Sequence, residues 1–502
     1  MKKILYTLLV ATFAHHAFAD NTESATAQNT PQPAPAAVVN NNAIFIGNTA
    51  YIQNPYNAEN YPTTGGGTLV VIESQTTNQS IAQKLFEDGT YNIYTGTTFN
   101  YSANGTTGQQ PTPYNTAIQP YAYGANLFAQ TGQINGFSVG GLMSVMNPFF
   151  NNQMNGINAQ PGATNYSIMT PSNSQVTLSE AFLEYQYSNK VQADIGYIGI
   201  NNSPWLNPNY ENNMLVVPTT YQGAMINIYP GNGWLLTAIA FNGAQYGASS
   251  GFTGNTNYSL NTINGNGSSD YASSNGTVAI GANYAALDNN YNLRLWGYQF
   301  DNYGTLLYSD TSLTMPVNNE MSFNIAGQAG TDQQWFQANN AISQANTNQI
   351  IQSYMAGIKV NWTYNWFQLN LSANTMWGSQ NSYGGGAMVS PYTVNQSTDP
   401  TYSNGWMTNM ISNAFTGSEY KIGTQFGFLN NNLTIMPAYI YTSSGDQQWN
   451  GTQEADLVVN YAIPQVKGLF LFGVYGNQWL PQQNQQYDGS AWTSEIGVFY
   501  TY

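Results

Sequence analysis

The chain is 502 residues long, and its 8 Lys and Arg stand against 23 Asp and Glu, a formal net charge of −15. Charged residues make up 6% of it, where ordinary soluble domains carry about 25%, so a globule with a charged soluble surface fits poorly. There is no Cys, and the 2 His are His15 and His16. The remainder therefore has no disulfide, no thiolate or imidazole metal site and no His general base.

The first residues set the compartment. Met1-Lys2-Lys3 is a short cationic region, Ile4 to Ala14 is apolar but too short to span a bilayer, and Ala17-Phe18-Ala19 is a small-x-small cleavage site. Residues 1–19 read as a secretory signal peptide. Removing it takes away both His and two of the 8 cations, which leaves the acids in still greater excess. Residues 20–40 are a Pro/Ala/polar linker. Residues 41–80 hold two short apolar runs, which read equally as a small periplasmic hairpin or an insert entering the pore. Together, 20–88 form an N-terminal segment ahead of a barrel over 89–502.

Beyond Gly89 the hydropathy alternates with the period of a pleated strand. Tyr91, Ile93, Thr95, Thr97, Phe99 and Tyr101 share one face. Hairpins are expected at 123–131 with 134–146, 178–187 with 191–200, 220–229 with 234–243 and 275–287 with 291–300. Three more follow at 350–363 with 366–377, 418–429 with 432–443 and 453–463 with 468–478. The segment 304–328 reads as one further strand. In the last strand Ile496, Val498, Tyr500 and Tyr502 face one way, and Glu495, Gly497, Phe499 and Thr501 the other. Outside the signal no apolar run approaches the roughly 20 residues of a transmembrane helix.

Short polar turns alternate with long Asn/Gly/Ser/Thr-rich stretches such as 147–175, 201–219, 244–274 and 378–417. That is the layout of an all-β transmembrane antiparallel barrel with short periplasmic turns and long extracellular loops. An even strand number is expected of a bacterial outer-membrane barrel, and eighteen is the expectation. An Asn/Gln-rich aggregating fibre is the competing reading of the composition.

Several stretches resemble the OprD-type family of outer-membrane porins over roughly residues 84–502. They are Phe86-Glu87-Asp88-Gly89 and Ala181-Phe-Leu-Glu-Tyr185, then Ile195-Gly196 and Asn202-Ser-Pro204. Met214-x-x-Val217-Pro218-Thr219-Thr-Tyr-Gln-Gly223 and Glu454-Ala-Asp456-Leu-Val-Val-Asn-Tyr461 with Lys467-Gly468-Leu469 complete the set. The resemblance implies a bacterial outer-membrane channel that passes small hydrophilic solutes, surrounded by lipid and lipopolysaccharide. It also implies insertion by the barrel-assembly machinery, and allows a homotrimer. The sequence departs from the family at Gly196-Tyr197-Ile198 and Asn213-Met214, and it has too few cations for the family's ladder of Arg and Lys.

Charges on the polar face of a strand are the candidate pore-lining residues, because an unpaired Arg or Lys facing lipid costs about 2–4 kcal/mol near the midplane. They are Glu184, Asp194, Arg294, Lys359, Lys421, Glu454 and Asp456. The expected function is passive diffusion, favouring cations because acids outnumber bases. The alternative is an adhesin or structural barrel acting through its loops. No catalytic residue, cofactor, metal or nucleic-acid partner is expected. The Pro230-Gly-Asn-Gly233 and Gly65-Gly-Gly67 clusters are turn chemistry, since neither precedes a Lys-Ser/Thr pair.

Overall fold

A computed structural model describes residues 81–86, 88–104, 116–118, 122–148, 174–200, 202–206, 218–245, 251, 252, 254, 275–286, 290–301, 303–334, 350–388, 401–411, 415–445, 449–480 and 490–501. The expected signal peptide over 1–19, the expected linker over 20–40 and residues 41–80 lie outside the described residues.

The chain enters through a one-turn helix, α1 (Ile81–Phe86), and then forms strands. In order these are β1 (Thr90–Asn104), β2 (Thr116–Ile118), β3 (Ala122–Gln130), β4 (Phe137–Pro148), β5 (Gln175–Tyr187) and β6 (Val191–Ile198). Next come β7 (Thr220–Gly231), β8 (Trp234–Gln245), β9 (Thr277–Ala285), β10 (Tyr291–Phe300), β11 (Gly304–Pro316) and β12 (Met321–Gln333). The series ends with β13 (Gln352–Tyr364), β14 (Phe367–Gly378), β15 (Gly417–Phe428), β16 (Leu433–Ser443), β17 (Gln453–Ala462), β18 (Leu469–Trp479) and β19 (Ser490–Thr501).

From β3 to β19 each strand pairs antiparallel with its chain neighbours, and β19 closes the ring on β1 from Tyr94↔Thr501 to Asn104↔Ala491. The other edge of β1 is shared. β3 pairs with its first half, and the three-residue β2 pairs with Tyr101–Ala103 further along. The two pieces thus occupy one position, so nineteen strands make an eighteen-position barrel. Closure removes free edges, the condition for strands to cross lipid.

The region 304–328, read from the sequence as one strand, is a correction. It contains β11 and most of β12, joined through Val317–Glu320. Asn318 makes that turn tight, its side-chain oxygen accepting from the N–H groups of Glu320 and Met321, both at 2.9 Å. The connection from β10 to β11 is itself short, and Tyr303 donates its N–H to Phe300 O within it. The two hairpins therefore abut without the loop-like composition that separates the others.

The seven other hairpins form where the sequence places them, within a few residues. Their turns use left-handed backbone at Ser188, Asn232, Asn365, Asn430 and Asn431, and Asn tolerates that region better than most residues. The faces also follow the alternation. On β19 Ile496 is 60% exposed while Glu495 beside it is 1% exposed. Val139, Val176, Ile195, Ile280, Ile358, Leu371 and Ile422 all look outward. Among the described residues no helix is long and apolar enough to cross a membrane; the strands provide the apolar exterior.

Three glycines on the inner face each receive an aromatic ring from the residue directly opposite. The pairs are Gly96↔Phe499, Gly140↔Phe182 and Gly281↔Trp296. A Cβ at any of them would sit inside the ring. Gly281→Ala is expected to cost about 1–3 kcal/mol by overpacking. It would also pull the Trp296 indole off Asn283 Oδ1, which accepts from it at 2.9 Å. Urea titration of folding in liposomes measures this, and an unchanged midpoint would show that the ring is free to move aside.

Candidate functional site

All seven candidate charges alternate with outward-facing neighbours along their strands, which puts them on inward faces. They fall into two groups. Glu184 on β5 and Asp194 on β6 are directly opposite in register. Glu184 Oε1 accepts from Gln130 Nε2 at 2.9 Å and Ser138 Oγ at 3.1 Å, and its Oε2 accepts from Gln192 Nε2 at 2.9 Å. Gln192 Nε2 also reaches Asp194 Oδ2 at 3.4 Å. This network joins β3 to β6 and includes none of the other five charges.

Arg294 begins the second group. Asp310, opposite it on β11, takes its guanidinium side-on: Nε lies 2.9 Å from both carboxylate oxygens and Nη2 lies 2.5 Å from Oδ2. The Arg294 side chain is 41% exposed and that of Asp310 only 10%. Water around the pair therefore meets the cation more than the acid. Lys359 on β13 holds its ammonium 4.7 Å from the centre of the Tyr402 ring, a cation–π contact. It is close enough to feel the charges of Asp310, Arg294 and Lys421.

The other three charges meet a segment that sequence periodicity does not mark. Residues 401–411, between β14 and β15, form a strap seated on the inner wall. Glu454 Oε1 accepts the N–H of Met407 at 2.7 Å, and its Oε2 accepts that of Thr408 at 2.6 Å. Asp456 Oδ2 accepts the N–H of Trp406 at 2.9 Å. Lys421 Nζ donates to Asn404 O at 2.7 Å. Ser403 Oγ donates to Glu419 Oε2 at 2.9 Å, and Gln478 Nε2 to Thr408 Oγ1 at 2.7 Å. At its start the strap reaches β14, where Asn374 Oδ1 accepts the N–H of Tyr402 at 2.6 Å. Glu454, Asp456 and Lys421 are all buried by these contacts.

A second inward segment, 202–206, packs against β7, β8 and β10, and its Trp205 and Leu206 share one apolar cluster with Met410 and Ile411 of the strap. Asn202 Nδ2 donates to Asn227 Oδ1 at 3.0 Å and to Thr237 Oγ1 at 2.9 Å. Ser203 Oγ lies 2.8 Å from Tyr298 OH. Trp205 and Leu206 are fully buried in one apolar cluster with Tyr221, Phe241, Tyr298 and Tyr308. Trp296, Tyr298 and Phe300 stack along β10 above Arg294 at successive centroid spacings of 5.6 Å.

Sequence reasoning missed Asp310, Tyr402, Glu419 and both inward segments. The alternation Tyr308-x-Asp310-x-Ser312 was a usable sign for Asp310, had 304–328 been divided. Among the described residues no group of three or more His, Cys, Asp or Glu is placed to hold a metal ion.

No family model matches the sequence, and no curated protein matches it. Solved structures do. OccK1 (OpdK) of Pseudomonas aeruginosa superposes with a TM-score of 0.60 at 13% identity, over 83% of this chain and 99% of that one. OccK9 (OpdG) of the same organism gives 0.63 at 14% identity, over 83% and 99%. OccAB2 of Acinetobacter baumannii gives 0.62 at 14%, over 84% and 99%. The chain thus has the fold of the OprD-type outer-membrane channels over most of its length.

Proposed function

We propose that this barrel is a passive diffusion channel of a Gram-negative outer membrane, inserted by the barrel-assembly machinery and ringed by lipopolysaccharide, that passes small hydrophilic solutes and ions with a preference for cations. The observation that carries the reading is the closed ring of eighteen strand positions, apolar outside and polar inside. Barrels of 16–18 strands are wide enough to leave an aqueous channel. The preference follows from the inner-face charges. Glu180, Glu184, Asp194, Asp310, Asp332, Glu419, Glu454, Asp456 and Glu495 are all buried on inward faces. Against these nine stand Arg294, Lys359 and Lys421, and an excess of acidic over basic groups favours cations wherever those acids are ionised.

A second reading rests on exposure rather than on number. Lys421 is buried, while Arg294 and Lys359 are only partly so. A solute at that level meets two cations, which would favour anions. Planar-bilayer recording under a salt gradient separates the two. The first predicts discrete open steps with reversal toward the cation potential, and a further shift that way in Arg294→Gln. Reversal toward the anion potential in the wild type, abolished by Arg294→Gln, would establish the second. Silence from protein shown to be folded and inserted would sink both and leave a surface barrel working through its loops.

A further inference from the structure

At the level of the Arg294–Asp310 pair, the inward residue of β13 is Gly357. Gln328 on β12 and Asn374 on β14 stand directly opposite it, and Lys359 is the next inward residue along β13. Both amide oxygens are already in use. Gln328 Oε1 accepts from Tyr308 OH at 2.8 Å, and Asn374 Oδ1 accepts the N–H of Tyr402 at 2.6 Å. Those bonds fix which way each carboxamide points, and they leave both NH2 groups turned toward the glycine. A Cβ on residue 357 would meet Asn374 Nδ2 first and would lie 2.8 Å from Gln328 Nε2.

The donors gathered there have little to donate to. Gln328 is 6% exposed, and its Nε2 has no hydrogen-bond partner. Asn374 Nδ2 has Ala356 O at 3.5 Å, the outer limit of a hydrogen bond. The Lys359 ammonium meets the Tyr402 ring and makes no hydrogen bond or ion pair among the described residues. A donor buried without an acceptor is unfavourable, and such groups in a folded protein call for an explanation. We propose that Gly357, Gln328, Asn374 and Lys359 form an oxyanion subsite on the channel wall, whose ligand is a tetrahedral oxyanion such as inorganic phosphate. Its place on a permeation path rests on the channel reading above.

Each part of the arrangement has a role. The missing side chain at 357 lets an anion approach the wall, and Gly357 and Lys359 both keep part of their surface open. The two carboxamides flank that gap from neighbouring strands, and the ammonium comes from the next inward position. Hydrogen bonds to an ionised acceptor are roughly twice as strong as neutral ones. Three donor groups placed on different sides suit an ion with oxygens on every side; the two coplanar oxygens of a carboxylate reach fewer of them. Tyr402 positions two of the three, since its N–H orients Asn374 and its ring backs Lys359. The acids that flank the row are engaged elsewhere. Asp310, beside Gln328, holds Arg294, and Glu419, beside Asn374, accepts from Ser403 within the field of Lys421.

Calorimetric titration of the folded, detergent-solubilised chain with inorganic phosphate at pH 7 tests the site without relying on conductance. A single phosphate site is expected, with a Kd about tenfold below that for acetate, equivalent to about 1.4 kcal/mol. Lys359→Met removes the ammonium, and Gln328→Glu keeps the shape of its side chain while replacing a donor with a carboxylate oxygen. Each is expected to raise the phosphate Kd by about tenfold or more. In planar bilayers phosphate should reduce the wild-type chloride current in a concentration-dependent way, and Lys359→Met should remove that block. Absence of phosphate binding to folded wild type, an unchanged Kd in both variants, or acetate bound as tightly as phosphate would overturn the proposal and leave the channel reading intact. Phosphate binding with the expected variant effects, from a protein that never conducts, would bring down the channel reading and leave the subsite standing.

Discussion

Ile358→Arg is expected to lower the free energy of unfolding in lipid by about 2–4 kcal/mol, the cost of a cation on the lipid face near the midplane. Ile358 sits at the centre of β13 and is 53% exposed. Its cross-strand neighbours are Gly327 on β12 and Ala373 on β14. Neither offers a group to a guanidinium, so the charge would have to snorkel or drag water into the bilayer. One residue along, Lys359 carries a cation at no such cost, because it points inward over the Tyr402 ring. The contrast between adjacent positions is the test. Folding titrations in liposomes should show the full loss for Ile358→Arg and little change for Lys359→Met. Equal effects at the two positions would mean that the faces of β13 are misassigned, and with them the direction of every inward charge named above.

The faces were legible in advance because lipid imposes them. A strand with period-two side chains and a hydrocarbon solvent on one side has no freedom to put Arg294, Lys359 or Glu454 outward, so alternation alone orients them. What each charge touches was not legible. Glu454 finds its partners in the amides of Met407 and Thr408, some 46 residues away along the chain, inside a stretch with no hydrophobic period. Backbone N–H groups leave no trace in a residue pattern. Asp310 was hidden for a different reason: two short connections flank β11, so the usual loop composition that divides hairpins is missing. Glu184 and Asp194 were placed on polar faces but not paired in advance, although the hairpin turn at 188–190 fixes the register that sets them opposite. Their separation from the other five charges required the order of strands around the ring.

The interior packing around 202–206 makes a prediction in which size and polarity pull apart. Trp205 is wholly buried, packed edge-on to Tyr308 with centroids 6.0 Å apart. Its indole N–H has no hydrogen-bond partner within the protein. Trp205→Ala removes one of the two indoles of the cluster, and substitutions of that kind cost about 3–5 kcal/mol. Trp205→Phe removes less volume and also deletes the unsatisfied donor, whose burial is unfavourable by about 1–3 kcal/mol. The two terms oppose each other, so the Phe variant is expected to stay within about 1 kcal/mol of the wild type. Urea titration resolves the pair, with Trp fluorescence complemented by protease protection of the short segment that carries residue 205. A Phe variant as damaged as the Ala variant would mean that the indole N–H does have a partner, and a buried water bridging it to the wall would then be the first thing to look for.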